Sequence, residues 1–219
     1  RGDWRGTVSA YDAEYHYKYD FRQASGGALG VLYHNKVGLI CAASMAEYHM
    51  VEKNNQQLQP NKDICLTPRI ETFKDDKWYT NLYDLPATVK SNDENGKIEL
   101  LANVKLKDVD RKVVEQTASD FEINYKSTVD KMEIVVKTDQ NITEPTAFVI
   151  PIISPNNEVV TQVSDTEITI QKPEGLVTIK ANAPIETKEI SRKRSFNMVP
   201  GVEALPLEVF FVNNSFLIV

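Results

Sequence analysis

The sequence predicts an all-β fold: a large antiparallel β-sandwich with little helix. Three observations carry this. Short runs with period-two alternation recur along the chain, turn residues bound them, and no segment shows a convincing helical stripe. On the order of fifteen short strands result, which favours a sandwich over a small barrel.

Taken in order, the glycine-rich stretch 26–30 leads into a strand, and a second apolar run follows at 38–43. The segment 44–52 is the best helix candidate. Met45, Tyr48 and Met50 form no stripe, so a loop with a helical turn explains it equally well. Asn95-Gly96 is a type I′ hairpin signal between 88–90 and 98–100. Strands are expected over 97–106, 121–126, 132–137 and 147–153, the last as a fully buried apolar run. A tight turn is expected at Pro155-Asn156-Asn157. Between 165 and 171, Thr166, Ile168 and Ile170 share one side and Glu167, Thr169 and Gln171 the other. Pro173-Glu174-Gly175 then turns the chain into a strand over 176–181.

The chain has 219 residues, 42% of them hydrophobic and 26% charged, which are globular values. That length suits one large β domain or two small ones. The favoured reading is one domain over 1–219, with an N-terminal segment, 1–85, rich in Tyr, His, Asn and Gln. Two stacked subdomains are the second reading. No repeat of fixed period occurs. The start at Arg1, without Met, reads as a mature or trimmed fragment of a longer native chain.

A formal net charge of −6 argues against nucleic acid as a partner, since phosphate backbones are bound by clustered Lys and Arg. The short run Arg192-Lys193-Arg194 reads as a solvated turn. No apolar run approaches the roughly 20 residues of a membrane span. The two cysteines, Cys41 and Cys65, are too few for a four-ligand zinc site and are not spaced as a CxxC pair. They read as buried thiols, with a disulfide between adjacent strands as the alternative in an exported protein.

Two constellations have the residue types for glycan chemistry. In the block 15–22, strand alternation puts Tyr15, Tyr17, Tyr19 and Phe21 on one face, and His16, Lys18, Asp20 and Arg22 on the other. The aromatic face is either core or a platform for the C–H faces of sugars, with core packing favoured. The second is the polar segment Glu47-Tyr48-His49 with Asn54, Asn55 and Gln56. Tyr48 and His49, or alternatively Tyr17 and His16, are the acid/base candidates for a lyase that removes the proton beside a uronate carboxylate. An Asn or Gln would hydrogen-bond that carboxylate and make the proton more acidic. A solvated loop remains the favoured reading. Arg69 in Arg69-Ile70-Glu71 either binds an acidic sugar or forms an ordinary cross-strand ion pair, the latter being favoured.

The candidate ligand-binding residues are therefore Tyr15, His16, Tyr17, Glu47, Asn54, Asn55, Gln56 and Arg69. The three histidines, His16, His34 and His49, lack short metal-ligand spacing. A site joining two of them to Asp20 is conceivable but not favoured, and neither a metal nor a cofactor is expected. No G-x-S-x-G motif occurs. The stretch 26–30 enters a strand instead of a helix, so its amides would not converge on a phosphate. Asn141-Ile142-Thr143 and Asn213-Asn214-Ser215 match the glycosylation pattern, which is short enough to arise by chance.

The stretch 25–43 (SGGALGVLYHNKVGLICAA) resembles the hairpin that opens the β-sandwich of heparinase II/III-like polysaccharide lyases. The run Ala147-Phe148-Val149-Ile150-Pro151-Ile152 and the ending 199–206 resemble the stacked-sheet supersandwich that follows a helical toroid in those enzymes. The resemblance implies a catalytic cleft between toroid and sandwich, and hence an upstream helical domain. It also implies a His-x-His-x-Asp-like stretch before the hairpin. Here that place reads Phe21-Arg22-Gln23-Ala24-Ser25, and His16 and Asp20 upstream do not restore the spacing. The resemblance thus supports the fold more than the catalysis.

The expected function is a β-sandwich domain of a bacterial polysaccharide-processing protein, periplasmic or extracellular. It would bind a polysaccharide or oligosaccharide, acidic ones included, or serve as an accessory to a lyase active site. The alternatives are a complete lyase acting by β-elimination on uronate glycans, and a non-enzymatic structural or adhesion module.

Overall fold

The structure, a computed structural model, describes residues 2–10, 26–43, 65–94, 96–155, 157–187, 203–211 and 215–218. Sixteen strands and one short 3-10 turn make up the regular structure of these residues. Every strand pairing is antiparallel. This is the all-β sandwich class that the alternation predicts.

The first sheet comprises β1 (Trp4–Ser9), β2 (Ala28–His34) and β3 (Gly38–Ala42). Next come β4 (Arg69–Lys74), β5 (Lys77–Thr80) and the 3-10 turn Asn81–Tyr83. A meander follows: β6 (Thr88–Glu94), β7 (Lys97–Lys105), β8 (Asp120–Ser127) and β9 (Met132–Lys137). After it lie β10 (Thr146–Ile153) and the hairpin set β11 (Val159–Ser164), β12 (Glu167–Lys172) and β13 (Gly175–Lys180). The last three are β14 (Ile185–Thr187), β15 (Ala204–Phe210) and β16 (Ser215–Ile218). One five-stranded sheet has the order β14-β15-β10-β4-β5 and the other β16-β9-β8-β7-β6, while β11-β12-β13 form a sheet of their own.

The expected turns fall where their residues require. Glu94 pairs with Lys97, so a two-residue loop joins β6 to β7, and Gly96 has the positive φ (+80°) that such a turn needs. Glu158 N–H donates to the Pro155 carbonyl, closing the turn expected there. Gly26 and Gly27 are both left-handed, with φ of +67° and +66°, and the chain enters β2 directly after them. The hairpin β4–β5 was not among the expected elements. Its Asp75-Asp76 turn places both residues at positive φ, a conformation Asp tolerates better than most side chains.

β10 explains its own sequence. All eight of its residues are buried, because it lies between β15 and β4 and both of its faces are covered. Pro151 stands opposite Pro206, and neither can donate to the ladder. β4 reaches only Thr146–Val149 and β14 only Leu207–Val209, so each proline lies past the end of its outer neighbour. One connected core holds Ile123 and Val136 of the meander, Phe148 and Ile152 of β10, Ile168 of β12, Leu207 of β15 and Leu32 of β2. The favoured reading of the cysteines agrees with the structure. Cys41 and Cys65 are buried free thiols in separate apolar clusters. Burial pushes the Cys41 thiol up to about 12, so it stays protonated at neutral pH.

Candidate carbohydrate-binding site

Alternation turns one face of each five-stranded sheet to the shared core; the second face is open in the meander sheet but buried in the β10 sheet at Arg69, Glu71 and Val149. In β4, Ile70 is in the core, which turns Arg69, Glu71 and Phe73 to the other side. Register extends that second face: Val149 stands opposite both Arg69 and Glu208, and Trp78 opposite Phe73.

Of the residues singled out from the sequence, Tyr15, His16, Tyr17, Glu47, Tyr48, His49, Asn54, Asn55 and Gln56 lie outside the described residues, as does Asp20. Arg69 is described. Its side chain is 3% exposed, with Nε donating to Glu71 Oε2 at 2.6 Å and Nη1 to the carbonyls of Cys65 (3.2 Å) and Thr67 (3.3 Å). The ion pair runs along one strand rather than across two, because residues i and i+2 of a strand share a face. Burial works against the guanidinium charge, but Glu71, Cys65 and Glu208 outweigh it and hold the pKa above its ordinary value. With this exposure the guanidinium offers a dissolved ligand almost no surface, and its evident work is to fasten the 65–67 segment to the sheet.

At the tip of the same hairpin, Phe73 and Trp78 are exposed, with ring centroids 5.0 Å apart. The sequence signal that would have found this pair is the near-symmetric Phe-Lys-Asp-Asp-Lys-Trp, in which two aromatics flank a turn at equal distance. Trp4 and His34 form another ring pair, at 4.7 Å and 66°, beside an apolar cleft of about 320 Å³. Among the described residues no group of three or more His, Cys, Asp or Glu could hold a metal ion.

The meander sheet carries a groove of about 910 Å³, lined by both polar and apolar residues, at one end of its outer face. Thr88, Asn103, Glu122 and Lys137 form a single row across β6, β7, β8 and β9, each directly opposite the next. Beside the row, Asp120 is gripped by Lys105, by Ser119 Oγ at 2.9 Å and by Gln140 Nε2 at 3.0 Å. Gln140 Oε1 in turn accepts from the backbone N–H of Ser119 and Asp120. Partial burial works to raise the Asp120 pKa, but the hydrogen bonds from Lys105, Ser119 and Gln140 and the Lys105 charge prevail and hold it below the ordinary value. Asp84 pairs with Lys107 at 2.7 Å deeper in the groove wall. Alternation in 97–106 and 121–126 exposes these polar positions in the sequence, but only the register shows that they line up.

Comparison with known proteins gives this fold its family. A family model for the ulvan lyase C-terminal domain matches residues 1–218. The chain is 64% identical over 211 residues to a broad-specificity ulvan lyase of Formosa agariphila. That match covers 96% of this chain and 33% of the relative, so the chain spans about a third of the curated protein it matches. No helix among the described residues is long and apolar enough to cross a membrane. A C-terminal sandwich of a polysaccharide lyase is what the sequence resemblance implied in its coarser form, and the chain belongs to the ulvan lyase C-terminal domain family.

Proposed function

We propose that this chain is the glycan-contacting C-terminal β-sandwich of an exported polysaccharide lyase acting on ulvan, an acidic polysaccharide, and that the reaction needs a further part of a longer protein. The single observation that carries this is the match to an ulvan lyase of which the chain spans only a third. A polysaccharide is too large to meet an enzyme inside the cell, which supports a periplasmic or extracellular location. Antiparallel sheets that share one core support the finer reading of a heparinase II/III-like supersandwich. On this reading residues 1–219 act as one domain. Tyr15, His16, Tyr17, Glu47, Tyr48, His49 and Asn54 to Gln56 then contribute sugar contacts toward the catalytic cleft, while Arg69 holds the adjoining segment in place.

Two measurements test this together. Calorimetric titration of ulvan into the chain is expected to show binding. Incubation with ulvan is expected to leave the ultraviolet absorbance of unsaturated uronate products flat. Rising absorbance would instead make the chain a complete lyase, with Tyr48 and His49 the first residues to mutate. Absence of binding to ulvan would remove the glycan role.

A further inference from the structure

We propose that the groove on the outer face of the β6–β9 meander is a separate glycan-binding site, which holds a sugar chain across the strands through its hydroxyl groups rather than through its charge. This rests on the reading of the domain as glycan-contacting, and it names a place for that contact away from the Arg69 face. The core-forming residues of the meander and of the β10 sheet belong to one connected core. Arg69 and the groove therefore lie on the two sheet faces turned away from that shared core, Arg69 on a buried one and the groove on an open one.

Geometry supports a chain-like ligand. The row Thr88, Asn103, Glu122 and Lys137 runs perpendicular to the strands, one side chain per strand. Neighbouring strands are about 4.8 Å apart, close to the length of one pyranose unit, so successive sugars meet successive strands. The concavity, about 910 Å³, has room for more than one such unit.

The side-chain chemistry fits sugar hydroxyls. A carboxylate or primary amide presents two polar atoms in one plane, matched to two neighbouring hydroxyls of a ring. Asn103 and Glu122 in the row are of this kind. Exposed Pro86 and half-exposed Val113 supply apolar surface for the C–H face of a ring. The network of Lys105, Ser119, Asp120 and Gln140 is already hydrogen-bonded, so these groups lose little freedom when a ligand arrives.

Charge decides the mode of binding. Lys105 and Lys107 are each engaged by a carboxylate, Asp120 and Asp84. Lys137, Glu122 and Asp139 also line the groove and make no ion pair among the described residues. One free cation beside two free carboxylates gives no field that gathers a polyanion. Hydroxyl-bearing units therefore fill the groove, and Lys137 marks the position where an acidic substituent is accommodated.

The test is titration of ulvan into the chain and two variants, at low and high salt. Asn103→Trp fills the groove from an exposed position, and Asp139→Ala removes an exposed carboxylate without adding bulk. Each is expected to weaken binding by about tenfold or more with an unchanged melting temperature, and wild-type affinity is expected to survive high salt. Should Asn103→Trp fail to fold, Asp139→Ala with Thr88→Trp decides the matter alone. Wild-type binding with unaffected variants overturns the groove and leaves the glycan role standing. Wild-type binding that collapses in salt overturns the hydroxyl mode. No wild-type binding to ulvan sinks the functional reading itself, and the groove with it.

Discussion

Gly26→Ala is expected to cost on the order of 4 kcal/mol of stability, enough to unfold a marginal domain. Two effects add. Gly26 has φ of +67°, where a side chain strains the backbone. A Cβ built there also meets the Asn81 carbonyl oxygen at 1.7 Å, and that obstacle is backbone. Retreat is blocked because Asn81 is fully buried and committed. Its Nδ2 donates to the Gly26 carbonyl at 2.8 Å, and its Oδ1 accepts from Ile70 N–H at 2.8 Å. Moving Asn81 aside would break the tie between the glycine turn and β4. Gly38→Ala supplies the control. Its φ is +78°, but nothing lies within 4 Å of the added Cβ, so only the strain of about 1 kcal/mol remains. Denaturant midpoints of the two variants measure the difference, and equal losses would show that the 3-10 turn yields.

The second large effect is Arg69→Met, expected to cost about 3–5 kcal/mol by leaving Glu71 buried without its counter-ion. Glu71 is 4% exposed and cannot turn to water. The double variant Arg69→Met with Glu71→Leu is expected to regain most of the loss, since an apolar pair replaces the ions without stranding a charge. Urea melts of the single and double variants form the test. A double variant as unstable as the single would mean that the guanidinium's bonds to the Cys65 and Thr67 carbonyls matter more than the pair.

Legibility followed the range of the interactions. β9 is expected over 132–137 and observed at Met132–Lys137, because its alternation is complete within itself. β10 is legible as an apolar run, and Asn95-Gly96 as a turn, for the same local reason. β14 has three residues and one partner, too little for any periodic signal. The β4–β5 hairpin hides behind an Asp-Asp turn that composition does not mark as Asn-Gly does. The Arg69–Glu71 pair could be suspected from spacing, but its burial depends on which strands flank β4. The groove row depends wholly on register between strands, which no single stretch encodes.

The place of β10 in its sheet has an entropic consequence. Within the meander no connection is longer than residues 106–119, between β7 and β8, so each new strand lands beside the last at modest cost in chain freedom. β10 instead meets β4 across a long detour: Thr72 Oγ1 bonds the Pro145 carbonyl 73 residues away. Closing a loop of that length costs about 4 kcal/mol more than the constant term, with no turn residue to offset it. What β10 hides from water offsets that cost alongside its two ladders, which fits a strand that carries a proline and is nonetheless apolar from Ala147 to Ile153.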